Sequence, residues 1–173
     1  MVVSPLNDKR SEADEIGKIR AIVRQVSDPE IPILSIEDLG ILRDVSLVND
    51  KVTVVITPTY VGCPAMDTIA EDIKTALGKK AYKNVEIQTS LSPAWTTDWL
   101  TPSGRQKLLS IGIAPPNEAS HSKRALMDTD RPAMCPKCHS TETECVSEFG
   151  STACKALYRC TACLEPFDYF KCI

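Results

Sequence analysis

The sequence predicts an α+β protein: a small three-stranded sheet packed with helices, followed by a C-terminal four-cysteine, zinc-ribbon-like module. Three observations carry this expectation. Val52, Val54 and Ile56 alternate with Thr53 and Val55, the period of a half-buried strand rich in β-branched residues. Met66, Ile69, Ala70, Ile73 and Leu77 then recur at helical spacing and make one apolar face. Seven of the eight cysteines lie after residue 134, and four of them form two Cys-x-x-Cys pairs. Residues 11–112 are therefore expected to form the α+β domain, residues 113–134 a linker and residues 135–173 the metal-binding ribbon. A chain of 173 residues has room for one domain of common size and a small appendage.

Taken in order, residues 1–10 are polar and expected to be loose. A helix follows over residues 11–27, with Ile16, Ile19, Val23 and Val26 as its stripe and Ser11 with Asp14 at its cap. Asp28-Pro29 stops it, because the residue before a proline avoids the helical region. Ile33, Leu34 and Ile36 anchor an ordered loop; Ser35 caps a short turn through Asp38, and Gly40 ends it. Residues 41–48 and 51–57 read as a hairpin about Asn49-Asp50. Pro58 closes the second strand, and the next helix starts near Cys63-Pro64, since proline fits the first helical position. Residues 84–90 give a third strand, with Val85 and Ile87 on one face. Trp95 and Trp99, four apart, are expected to share a helical face and cover the core. Thr101 caps a helix that runs to Ile111, with Gly112 just beyond its end.

Composition excludes several classes of function. The net charge of −3, with no basic block, disfavours a wide nucleic-acid footprint. No apolar run reaches the length of a membrane-spanning helix. The start, MVVSPLNDKRSEADEIG, has no signal-peptide core, which together with clustered cysteines points to reduced thiols in a cytoplasm. Nucleotide-binding glycine loops, HExxH and GxSxG are all absent, and only His121 and His139 are present. The catalytic set is accordingly empty.

Two places carry chemistry. Cys63 lies where a strand's loop enters a helix. Free N–H groups and the positive helix end there favour a thiolate, so Cys63 could be a nucleophile, a metal ligand or an iron–sulfur ligand; the competing reading is a small buried thiol that packs well. Asp28 and Glu30, with Glu37 and Asp38, either cap local turns or surround Cys63; Thr59 and Tyr60 can bond within the same loop. The second place is Cys135-Pro-Lys-Cys138 and Cys160-Thr-Ala-Cys163, 21 residues apart, a spacing that suggests one tetrahedral site of four thiolates. A module of 39 residues buries little core, so metal binding would supply its folding energy. Zn2+ suits four thiolates, and a rubredoxin-like iron site uses the same ligands. Cys145 and Cys172 read as spectators, with Cys154 open.

DPEIPILSIEDLGILRDV and ITPTYVGCPAMDTI resemble the iron–sulfur-assembly domain family, which includes SufT-like proteins and a eukaryotic cytosolic iron–sulfur targeting factor. The tail, CPKC with FGSTACKALYRCTACLEPFDYFK, resembles the PaaD (PaaJ) family of accessory subunits of 1,2-phenylacetyl-CoA epoxidase in phenylacetate catabolism. The resemblance covers residues 12–173. It implies a non-catalytic accessory protein that helps mature the iron or iron–sulfur centres of a multicomponent monooxygenase. Its partners would be the oxygenase or reductase components, with a homodimer left open and neither nucleic acid nor membrane involved. It also implies that Cys63 is the reactive or cluster-handling thiol, carrying iron or a cluster transiently. Asp28, Glu30, Asp38, Thr57, Thr59 and Gly62 would support it, and Cys135, Cys138, Cys160 and Cys163 would bind metal. A structural or electron-transfer component of the oxygenase is the alternative, and a zinc-ribbon nucleic-acid binder a third reading.

Overall fold

The computed structural model describes residues 5–116 and 133–171. His121 and Cys172, the latter read as a spectator, lie outside the described residues. The chain divides into two compact units, Met1–Ala94 and Trp95–Ile173. The last helix of the expected first domain therefore belongs to the second unit.

Helix α1 spans Pro5–Val23, so residues 5–10 are helical rather than loose and Ser11 lies within the helix, not at its start. Proline is well placed in a first turn, and no breaker follows it before Gly17. The helix stops at Val23, short of residue 27, because the next residues enter a folded-back loop. Ser27 bridges Ser35, Ile36 N–H donates to the Val26 carbonyl at 2.8 Å and Asp28 N–H to that of Leu34 at 2.9 Å. Ile31, Leu34, Ile36 and Leu39 of this loop are fully buried. The Ser35 turn forms as expected: Asp38 N–H donates to Ser35 Oγ at 3.1 Å, Ser35 N–H and Oγ return bonds to the Asp38 carboxylate, and Gly40 turns the chain at φ 68°.

Strands β1 (Leu42–Val48) and β2 (Lys51–Ile56) form the expected antiparallel hairpin. Asn49 and Asp50 make its two-residue turn at φ 48° and 60°. Helix α2 (Ala65–Gly78) then crosses over to β3 (Val85–Thr89), which pairs parallel to β2. The sheet order is β1-β2-β3. Val45, Val52, Val54 and Ile56 bury one face of the sheet; Ile69, Ile73 and Leu77 of α2, with Ile19 and Val23 of α1, complete the core. Met66 and Ala70 are only half-buried, at the margin of the expected stripe.

The second unit begins with Trp95, which is buried and meets the Phe170 ring edge-on at 6.1 Å. Trp95 precedes a short 3-10 helix, Thr97–Trp99, so the two tryptophans share no helical face. Helix α3 (Pro102–Ser110) is capped as expected: Thr101 accepts the Gly104 N–H at 3.0 Å, and Gly112 follows at φ 79°. A four-stranded sheet in the order β4-β7-β6-β5 makes the rest. Its strands are β4 (Ile113–Ala114), β5 (Thr143–Ser147), β6 (Lys155–Cys160) and β7 (Pro166–Phe170). Strand β4 runs parallel to β7, so residues expected to begin a linker are part of the ribbon's sheet.

Candidate metal centre and cysteine loop

The cysteine loop grows out of β2. Thr57 is buried, and its N–H donates to the Ile41 carbonyl at 2.9 Å, which fixes where the strand ends. Thr59 and Tyr60 are half-buried, whereas Val61 stands almost fully in solvent. Gly62 turns the chain at φ 84°, with open space where a Cβ would lie; glycine is required there by the backbone angle, not by crowding. Cys63 N–H then donates to the Tyr60 carbonyl at 3.3 Å, and α2 begins behind Pro64 without a side-chain cap.

The structure brings Asp28, Glu30, Tyr60 and Cys63 together. Burial is the main influence on the Cys63 thiol and pushes its pKa up. The Ala65 N–H and the Tyr60 side chain pull it down, while the Glu30 and Asp28 carboxylates push it further up. The expectation of an enriched thiolate at the helix mouth is thus corrected: desolvation and two nearby carboxylates outweigh the helix end. Asp28 is 7% exposed and accepts the N–H groups of Glu30 and Ile31 at 2.8 and 2.7 Å, so it caps its own loop while facing Cys63 with negative charge. Asp38 serves the Ser35 turn.

The ribbon centre is built from two matched knuckles. In the first, Cys135 N–H donates to the Ser140 carbonyl at 2.9 Å; in the second, Cys160 N–H donates to that of Glu165 at 2.9 Å. The residue after each pair is left-handed, His139 at φ 60° and Leu164 at φ 64°. These turns bring the sulfurs of Cys135, Cys138, Cys160 and Cys163 within 4.8 Å of one another. Cys135 and Cys163 sulfurs are 3.7 Å apart and those of Cys138 and Cys160 3.6 Å. A tetrahedron with metal–sulfur bonds of about 2.3 Å has edges of about 3.8 Å, so the four cysteines can hold a metal ion such as Zn2+.

Electrostatics agree with that fit. The Cys163 backbone N–H draws the Cys160 thiol down to about 7. Cys138 receives the Ser140 N–H, yet the crowded sulfurs of Cys163, Cys160 and Cys135, with desolvation, drive it up to about 12. Four thiols this close cannot all ionise without a cation between them. Cys135 and Cys160 are wholly buried among Ala133, Ala156, Tyr158 and Phe167, whereas Cys138 is exposed. Lys137, inside the first knuckle, pairs with Glu165 just beyond the second, and the Cys163 and Cys135 sulfurs also favour its charged form. Sequence reasoning missed this clasp because residues 28 positions apart give no spacing signal. Cys145 is exposed, with its sulfur 3.6 Å from Glu148 Oε1; Cys154 is buried, 3.0 Å from Thr152 Oγ1.

Comparison with known proteins gives both parts counterparts. Residues 17–88 match the iron-sulfur cluster assembly protein family, and residues 119–171 match the PaaD zinc beta ribbon domain. The chain is 47% identical over 159 residues to an Escherichia coli K12 protein described as a putative D subunit of 1,2-phenylacetyl-CoA epoxidase, covering 92% of this chain and 94% of that one. An Fe-S protein maturation auxiliary factor of Porphyromonas gingivalis is 36% identical over 94 residues, 53% of this chain and 86% of its own. A crystal structure of a domain of unknown function from Bacillus anthracis aligns with 58% of this chain and 96% of its own length, at 25% identity and a TM-score of 0.54. Among the described residues no helix is long and apolar enough to cross a membrane.

Proposed function

The chain belongs to the PaaD family of 1,2-phenylacetyl-CoA epoxidase accessory subunits, and from that premise we propose that it is a non-catalytic accessory factor that matures the iron or iron–sulfur centres of the epoxidase system in phenylacetate catabolism. The observation that carries this reading is near-full-length similarity to a putative epoxidase subunit in a chain whose first unit also matches Fe-S protein maturation auxiliary factors. Its partners are the oxygenase or reductase components. The division of labour follows the two units: the assembly-family match at residues 17–88 lies in the first and the four ribbon cysteines in the second.

Iron, or a cluster, is the cargo, and Cys63 is its acceptor. Without cargo, burial and the Asp28 and Glu30 carboxylates keep the thiol protonated and unreactive. The same negative charge attracts a cation. As a ferrous ion arrives, its charge favours the thiolate, the Cys63 proton leaves to water and the iron–sulfur bond forms. One sulfur holds iron weakly, which suits delivery rather than storage. Thr57 and Gly62 shape the loop, and Thr59 and Asp38 support it. Cys135, Cys138, Cys160 and Cys163 would hold a structural Zn2+, whose binding would fold the ribbon.

Complementation of a deletion strain tests the reading. Cys63→Ser should restore soluble protein and ribbon metal but leave the purified oxygenase or reductase deficient in iron. Full iron loading with the mutant, or in the deletion strain itself, would overturn it. The matched knuckles would also accept iron, which favours an electron-transfer role as the second reading. Visible absorption and a reversible redox titration of the purified protein would select that role over zinc.

A further inference from the structure

An open groove of about 710 Å3 runs along the first unit between α2 and β3, away from the function assigned to Cys63. We propose that this groove is one half of a homodimer interface, in which β3 pairs antiparallel with β3 of a second copy and the two α2 helices pack across the seam.

Backbone geometry supplies the first support. Among the described residues β3 pairs on one side only, with β2. Val52 N–H donates to the Asn84 carbonyl and Ser90 N–H to that of Ile56, so the even-numbered residues bond inward. The N–H and C=O groups of Val85, Ile87 and Thr89 therefore face outward, where another strand can reach them. A two-fold axis at Ile87 would set Ile87 against its own copy, Val85 against Thr89, and Glu86 against Gln88. No like charges meet in that register.

The helix continues the same symmetry. Met66, Ala70 and Lys74 line the groove one turn apart. From Met66 to Lys74 the helix rises about 12 Å. From Val85 to Thr89 the strand covers about 13 Å. Because α2 runs back between two parallel strands, centring both elements on the groove they line would place Ala70 and Ile87 on the same axis. Alanine at the crossing allows close approach, and half-buried Met66 would be covered. The axis would also carry Lys74, which pairs with Glu71 of its own helix at 2.8 Å, toward Asp67 of the other copy. This charge complementarity, centred on a small residue, makes a second copy the occupant in preference to an unrelated strand.

Sedimentation of the metal-loaded full chain over a concentration series tests the proposal. The mass should rise toward twice the 19.0 kDa chain mass. Thr89→Pro removes an outward N–H that pairs with no strand among the described residues, and should weaken the dimer at least about tenfold with circular dichroism and ribbon metal unchanged. Lys74→Glu should also weaken it, and adding Asp67→Lys should restore it. A monomer at every concentration would overturn the proposal. So would a dimer indifferent to these changes, or a double exchange without recovery. If Thr89→Pro does not fold, the charge exchange decides alone.

Discussion

Cys63 shows how a single residue's chemistry depends on what folds onto it. Its position at the mouth of α2 was legible from the strand, Gly62 and Pro64. The direction of its pKa was not, because Asp28 and Glu30 arrive from a separate loop and burial is set by the whole unit. Alkylation by iodoacetamide, read on the Cys63 peptide by mass spectrometry, should be slower at neutral pH than for a free thiol. It should climb as pH rises through the raised pKa, since only the thiolate reacts. Glu30→Gln removes a charge that opposes ionisation and should move that rise to lower pH. Tyr60→Phe removes a group that favours the thiolate and should move it higher. A profile unmoved by both changes would mean that neither group faces the sulfur.

At the scale of elements, local punctuation was the most legible part of the sequence. Asn49-Asp50, Thr101, Gly40 and Gly112 each sit where their side chain or missing Cβ predicts. What the sequence concealed was direction and partnership. Nothing in VEIQT says that β3 runs parallel to β2; that follows from the length of the α2 crossover. The start of α1 was misplaced because residues 5–10 are polar, and polarity alone does not distinguish a solvated helix from a loose end. Two substitutions test the punctuation. Asp50→Gly relieves a left-handed residue in the hairpin turn and should stabilise the first unit by about 0.5 kcal/mol, the strain removed slightly exceeding the added freedom of the unfolded chain. Thr101→Ala removes the α3 cap and should cost the second unit about 1 kcal/mol, whereas Thr101→Ser should cost much less. Denaturant titration followed by hydrogen exchange separates the two units.

The two units of the whole molecule are stabilised differently. The first has an apolar core of helices and sheet, and the second folds a small core around four sulfurs. Cys138→Ser should therefore lower metal content and expose residues 133–170 to rapid amide exchange, while residues 41–89 keep their protection. Loss of protection in both would show that the units are not independent. The four-cysteine centre was legible because its ligands come in local pairs, whereas the boundary was obscured by β4, too short to announce itself. That two-residue strand, hydrogen-bonded to β7, makes the ribbon a structure of two chain segments. A nick anywhere within residues 117–132 would cut the polypeptide yet leave both pieces contributing to one sheet. Two genes, one encoding residues 1–116 and the other 117–173, should therefore yield complementing halves that copurify.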